Sequence, residues 1–205
     1  MPRPLFDAHF HVIDPTHSLV ENNGFMPDAF TAQDYVARVD GLGGGGGAVV
    51  SGSFQGFDQG YLTEALAVLG PNFVGVTQLP ADVSSKSISE LDRAGVRAVR
   101  FNLKRGGSAG VDDLELLANR VFDVAGWHTE LYVDARELPD LERVLTRLPR
   151  VSIDHLGMHE DGLKALLRLV EHGAMVKATG FGRVELDPAS ACLLYTSPSP
   201  RDGLL

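Results

Sequence analysis

Cysteine is almost missing from this 205-residue sequence, which holds only Cys192, and tryptophan occurs once, at Trp127. A single cysteine excludes an internal disulfide framework and a cysteine-rich zinc module. Basic residues are also in deficit, with 18 Lys+Arg against 27 Asp+Glu and a net charge of −9. That balance argues against nucleic acid or an anionic membrane as partner, since both call for a basic face. It leaves room for a local basic pocket around a small anionic ligand, the partner expected here. No apolar run approaches the roughly 20 residues that span a bilayer. The opening Met1-Pro2-Arg3-Pro4-Leu5-Phe6-Asp7 meets an acidic residue before any secretory apolar region forms. The expected location is cytoplasmic, and the sequence assigns no oligomeric state. With 44% hydrophobic and 22% charged residues, the chain has the make-up of one ordinary globular domain.

The end of the chain differs from the rest. Cys192-Leu193-Leu194-Tyr195-Thr196-Ser197-Pro198-Ser199-Pro200-Arg201-Asp202 shares neither composition nor period with what precedes it. It resembles the translation of a transposon-type sequencing adapter. The expected organisation is therefore a domain over residues 1–191, cut short, followed by a non-native disordered tail over 192–205.

Within 1–191, short β-branched runs alternate with amphipathic stretches. Strands are expected at Leu5–Val12, Ala48–Ser53, Phe73–Leu79, Val96–Leu103, His128–Asp134, Val151–Asp154 and Met175–Thr179. Helical patterns cover Thr31–Val39, Ser87–Ala94, Asp112–Ala125, Leu138–Leu148 and Gly162–Glu171. Strand followed by helix, repeated, implies a parallel α/β sheet with right-handed crossovers. Polar residues recur on one alternating face near the strand ends: Asp7, His9 and His11; Arg100 and Asn102; Glu130, Tyr132 and Asp134. An open parallel sheet, buried on both faces, would read as unbroken apolar runs. The expectation is a (β/α)₈ TIM barrel with about seven strands present, its polar residues gathered at one mouth. Gly43–Gly47 follows a helix and precedes a strand, the wrong order for a phosphate loop, and reads as a flexible connector.

Two imidazoles at i and i+2 on the first strand, His9 and His11, point the same way and can reach one metal or one substrate oxygen. His155 ends the sixth strand before a glycine turn, so the three should meet at one rim. Alternation sets Asp154 on the other face, toward the helices, as a structural acid. An inward arginine, Arg100, needs a partner or a ligand. Arg105 and Arg183 follow strands four and seven, where each can pair with a carboxylate, and Tyr132 can donate a hydrogen bond.

Four segments in this order, Asp7-Ala8-His9-Phe10-His11, Gly95–Asn102, Ile153–Gly157 and Val176–Phe181, resemble the amidohydrolase superfamily in its amidohydrolase-2 branch. The resemblance covers essentially residues 4–190. It implies hydrolysis, or in some members decarboxylation, of small carboxylated substrates. It also implies an aspartate on a final strand that activates water; that strand would follow Ala191, so the base is expected to be absent from this chain. Metal-dependent members generally add a histidine at the end of strand five, where Leu131-Tyr132-Val133-Asp134 has none. The pattern looks like the metal-independent lactonase subgroup that includes pyrone dicarboxylate hydrolases. The expectation is catalysis by His9, His11 and His155, substrate binding by Arg100, Arg105, Tyr132 and Arg183, and no required cofactor. If zinc or another divalent metal binds, His9, His11 and His155 would hold it.

Other readings remain open. The chain could be a metal-dependent amidohydrolase or decarboxylase, a non-enzymatic ligand-binding barrel, or an inert fragment. Gly106-Gly107-Ser108-Ala109-Gly110 matches G-x-S-x-G, but Lys104 and Arg105 separate it from its strand, where a nucleophile elbow needs a sharp strand-to-helix turn. A barrel lacking its last strand would expose two sheet edges and is expected to be poorly soluble and nearly inactive.

Overall fold

A computed structural model describes residues 5–22 and 24–179. The 192–205 tail and Arg183 lie outside the described residues. Seven parallel strands run in sequence order: β1 (Leu5–Phe10), β2 (Gly44–Val50), β3 (Phe73–Thr77), β4 (Val96–Asn102), β5 (His128–Tyr132), β6 (Val151–Ile153) and β7 (Met175–Val176). Between them lie α1 (Ala32–Val39), α2 (Gly60–Leu69), α3 (Ser85–Arg93), α4 (Leu114–Ala125), α5 (Leu138–Leu145) and α6 (Leu163–Glu171). The sheet is curled as in a (β/α) barrel, so that His9 from β1 and Lys177 just after β7 lie within 3.5 Å of each other. No helix among the described residues is long and apolar enough to cross a membrane.

Alternation along the strands builds two layers. Val49, Val99, Phe101, Leu131 and Ile153 face the helices and join Leu62, Leu114, Leu117, Leu138 and Leu166 in the main core. The opposite face carries small apolar residues, Ala48, Val50, Val76 and Ala98, in a second cluster inside the curl. Toward the C-terminal ends that inner face turns polar. Arg100 pairs in register with Glu130, and Glu130 with Ser152. The helices start where local chemistry favours it: Thr31 and Asp34 form a reciprocal capping box on α1, and the Ser84 hydroxyl accepts from Ser87 N on α3. Gly126, at φ 69°, ends α4 in the left-handed region that glycine adopts without penalty.

The structure corrects several expectations. Each strand stops one to three residues before its expected end, and His11, Gly52 and Ser53, just past β1 and β2, line the mouth. The helix α2 was not anticipated. Gly43–Gly47 is no connector, since Gly44–Gly47 forms the first half of β2. A Cβ at Gly46 would sit 2.3 Å from the Asn72 carbonyl oxygen, and one at Gly47 would sit 2.9 Å from Asp7 O. The backbones approach too closely for any side chain, which is why glycine occupies a buried strand.

Candidate active site

The first strand delivers its histidines through an irregularity. Asp7 pairs with Gly47 but Phe10 with Val49, so β1 carries one extra residue against β2, a bulge that re-aims side chains. Phe10 stacks on Tyr35 of α1 at 3.6 Å, and the Tyr35 hydroxyl donates to Asp7 Oδ2 at 3.3 Å. Asp7 therefore does not share the inward face with the histidines, contrary to simple alternation. His9 and His11 turn inward, their ring centroids 5.1 Å apart. His11 Nδ1 lies 2.7 Å from Val50 O. A carbonyl only accepts, so Nδ1 holds the proton and Nε2 is left as an acceptor.

His155 arrives from a turn rather than from a strand. His155, Leu156, Gly157 and Met158 have φ of 50°, 56°, 72° and 65°, a left-handed run that is costly for the three non-glycine residues. A Cβ at Gly157 would stand 2.8 Å from Ala135 Cβ, so this turn is held close over the start of the segment after β5. The result places His155 4.7 Å from His9 and 5.5 Å from the Tyr132 ring, centroid to centroid. Its Nδ1 is 2.9 Å from Thr179 Oγ1. Because β6 ends at Ile153, alternation no longer applies at 154–155, and the expectation for Asp154 fails. Its carboxylate points into the curl, fully buried, alongside His155.

Behind the imidazoles lies a buried charge network. Arg100 donates to Asp154 Oδ2 from Nη2 at 2.7 Å and from Nε at 3.2 Å, and to Ser51 O at 2.7 Å. Glu130 Oε1 is 3.4 Å from Arg100 Nε, and its Oε2 accepts from Lys177 Nζ. Lys177 Nζ is also 3.5 Å from both His9 Nδ1 and Asp154 Oδ1. Two cations thus face two carboxylates, and the inward Arg100 has the partner its burial demands. Burial, then the Asp154 charge, pushes the Glu130 carboxyl up to about 7. Burial also opposes ionisation of Asp154, but Arg100, His9 at 3.5 Å and Lys177 outweigh it and hold that carboxyl well below the usual range. Burial lowers all three imidazoles, His11 to about 3 and His155 to about 4. At neutral pH they are uncharged.

The sequence reading missed Lys177 as a site residue. It shares the parity of Thr179 in an otherwise apolar run, and the argument applied to Arg100, that an inward charge needs a partner, would have found it. Thr179 and Asn102 were likewise not singled out as site residues.

The metal question turns on this network. A ligand atom each of His9, Asp154 and His155 lies within 4.8 Å of the others; His11, part of the expected metal set, is not in the group. Asp154 is the constraint. An ion bound to Oδ1 at ~2.1 Å would lie within ~5.6 Å of Lys177 Nζ, because Nζ is itself 3.5 Å from that oxygen. The ammonium would repel a divalent charge there by about 6 kcal/mol or more at an effective dielectric near 20. The other oxygen, Oδ2, is taken by Arg100 at 2.7 Å. As they stand, these residues do not suit a divalent ion.

Above the network is a shallow cleft with about 40 Å³ of enclosed space, lined by His11, Gly52, Ser53, Phe54, Arg100, Asn102, Arg105, Tyr132 and His155. Arg100 stands 5.2 Å from the Tyr132 ring. Arg105 is exposed at the rim, its backbone N–H donating to Asn102 Oδ1 at 3.1 Å. His9 sits deeper, its side chain 4% exposed and its Nε2 without a hydrogen-bond partner among the described residues. Ser108 is spent locally: its hydroxyl accepts from Asn102 N at 2.8 Å and donates to Ala109 O at 3.0 Å. That geometry lacks the strained strand-to-helix apex of a nucleophile elbow.

A family profile described as Amidohydrolase matches residues 6–199. Among curated proteins, the chain is 33% identical over 163 residues to a 2-pyrone-4,6-dicarboxylate hydrolase of Comamonas testosteroni, a match covering 77% of this chain and 53% of that one. It is 26% identical over 204 residues to a 4-sulfomuconolactone hydrolase of Hydrogenophaga intermedia, covering 93% and 67%. The chain thus spans about half to two thirds of these relatives. Among solved structures, an Acinetobacter baumannii protein provisionally assigned as a 2-pyrone-4,6-dicarboxylic acid hydrolase, with citric acid bound, superposes with a TM-score of 0.79. It covers 93% of this chain and 76% of that one at 22% identity, a likeness of fold.

Proposed function

This chain belongs to the amidohydrolase family, and on that premise we propose that the protein hydrolyses a small carboxylated lactone. The observation that carries the reading is the convergence of uncharged imidazoles with arginines around one cleft: His11, His155, Arg100 and Arg105 line it, and His9 lies 4.7 Å behind His155. Both curated relatives are named for hydrolysis of an anionic ring, one a pyrone dicarboxylate and the other a sulfonated lactone, which supports an anionic cyclic ester as substrate.

In the proposed reaction water attacks the ring carbonyl carbon. A C–O bond forms, the ring C–O bond breaks, and the departing oxygen takes up a proton. Arg105 and Arg100 hold the carboxylate and fix the ring, with Arg183 and the Tyr132 hydroxyl completing the binding set. Such fixing removes much of the entropic barrier. His155 donates to the carbonyl oxygen as negative charge develops there, in a site with little water to compete. His11, with Nδ1 committed to Val50 O, offers Nε2 to the attacking water. The eighth-strand aspartate that the family resemblance implies would take the proton from water, a step typically contributing about 10²–10⁴-fold. No metal is required in this reading.

The test is turnover of pyrone, sugar and muconate lactones, with and without chelator, by a form of the protein that carries that eighth-strand aspartate. His155→Ala should lower kcat by about 10²-fold or more with KM little changed, the mark of an interaction made in the transition state. An unchanged kcat on a cognate lactone would remove His155 from the chemistry, and binding without turnover on any lactone would make the barrel a binder.

A further inference from the structure

A half-buried lysine stands against two of the three groups that could hold a metal ion, His9 and Asp154. Lys177 Nζ, His9 Nδ1 and Asp154 Oδ1 form a near-equilateral triangle with all three sides 3.5 Å. The same ammonium donates to Glu130 Oε2, so one positive centre touches two carboxylates and an imidazole. Its side chain is 14% exposed, and the Glu130 and Asp154 side chains are 0% exposed. Three buried polar atoms here, Asp154 Oδ1, Glu130 Oε1 and His9 Nε2, have no hydrogen-bond partner among the described residues. The two carboxylate oxygens among them are stabilised by the cations beside them rather than by hydrogen bonds.

We propose that Lys177 takes the place of a metal ion: its ammonium supplies the positive charge at the centre of His9, Glu130 and Asp154 and keeps divalent ions out of the His9–Asp154–His155 donor set. The donors themselves have zinc chemistry, two imidazoles and a carboxylate, the number a catalytic zinc takes from protein. Lys177 is the cation set on the carboxylate oxygen left to this donor set, Asp154 Oδ1, since Arg100 is committed to Oδ2. Replacing the lysine by a neutral side chain of similar length turns the same pocket into a zinc site. Lys177 is in this sense a positioning and excluding residue.

The experiment is zinc titration of the full chain against a chromophoric chelator, with stoichiometry checked by elemental analysis after dialysis. The unaltered protein should take up no zinc that depends on Asp154. Lys177→Gln should gain one equivalent, at least ~100-fold tighter, a part of what the removed repulsion allows. Adding Asp154→Asn should abolish the gain, and Lys177→Arg, which keeps the charge, should stay metal-free. Lys177→Met serves the same purpose if the glutamine variant does not melt cooperatively. One equivalent bound by the unaltered protein and lost in Asp154→Asn would overturn the proposal. So would folded Gln and Met variants that bind zinc no better than the parent. The readout is zinc content, so this result and the lactone assay fail independently: zinc bound by the parent leaves ester hydrolysis standing as a zinc-dependent reaction.

Discussion

Asp154→Asn isolates the energetics of the buried network, because it removes one charge while keeping size and shape. In the folded chain Arg100 and Lys177 face Glu130 and Asp154, with side-chain exposures of 3%, 14%, 0% and 0%. The variant leaves two cations against one carboxylate, and Arg100 loses its two charge-assisted bonds of 2.7 and 3.2 Å. Leaving a buried charge without its partner costs about 3–5 kcal/mol. At a urea dependence near 2 kcal/mol per molar, that moves the midpoint down by about 1.5–2.5 M. Trp127 provides the probe: its ring is 1% exposed, and Nε1 donates to Asp92 Oδ1 at 2.9 Å, so its fluorescence reports loss of packing at the start of β5. The double variant Arg100→Met/Asp154→Leu should be more stable than either single change, since an apolar pair carries no unpaired charge. A single-variant loss below about 1 kcal/mol, or a double variant that costs the sum of the singles, would refute this account of the network.

Acid should destabilise the fold through its buried histidines. Burial holds His11 at about 3 and both His128 and His155 at about 4, so below about 6.5 the unfolded chain binds protons that the folded one refuses. The contribution of these histidines is then full above pH 6.5 and is lost as pH drops toward 4. Glu130, raised to about 7, acts with the opposite sign and offsets one histidine, and solvent screening discounts His155 at the cleft. The net slope is about 2 kcal/mol per pH unit between 6 and 5; urea midpoints that stay level from pH 7 to 5 would contradict it. In β2, Gly46→Ala should cost about 2 kcal/mol, because its Cβ would meet Asn72 O at 2.3 Å. Gly44→Ala, whose nearest neighbour is Val39 Cγ2 at 3.9 Å, should change the melting temperature little. Equal effects of the two would refute the close-approach argument.

Much of the architecture is readable from period alone. The two-residue alternation that sets Arg100, Asn102, Glu130 and Tyr132 on one face is the alternation of β4 and β5, and it survives because those strands are regular through their ends. It breaks where the backbone is irregular. A bulge in β1 separates Asp7 from the histidines, and a left-handed turn after Ile153 lets Asp154 and His155 both face inward. Neither feature has a local composition that announces it: the positive φ values fall on His155, Leu156 and Met158 as well as on Gly157. The glycine run misleads in the other direction. Glycine usually marks loops by its freedom, yet here it answers a steric demand from Asn72 and Asp7, which are distant in sequence. Lys177 was hidden for a similar reason, since its partners Glu130, on β5, and Asp154, in the turn after β6, are distant in sequence.

The approach of His9 to Lys177 has a mechanical consequence. β1 and β7 stand at opposite ends of the strand order, so among the described residues only side chains join them, and no backbone ladder fixes their separation. Among the described residues, the seam between the first and last strands is therefore drawn by polar side chains, His9 against Lys177, and the same ammonium that meets Glu130 and Asp154 also bridges that seam.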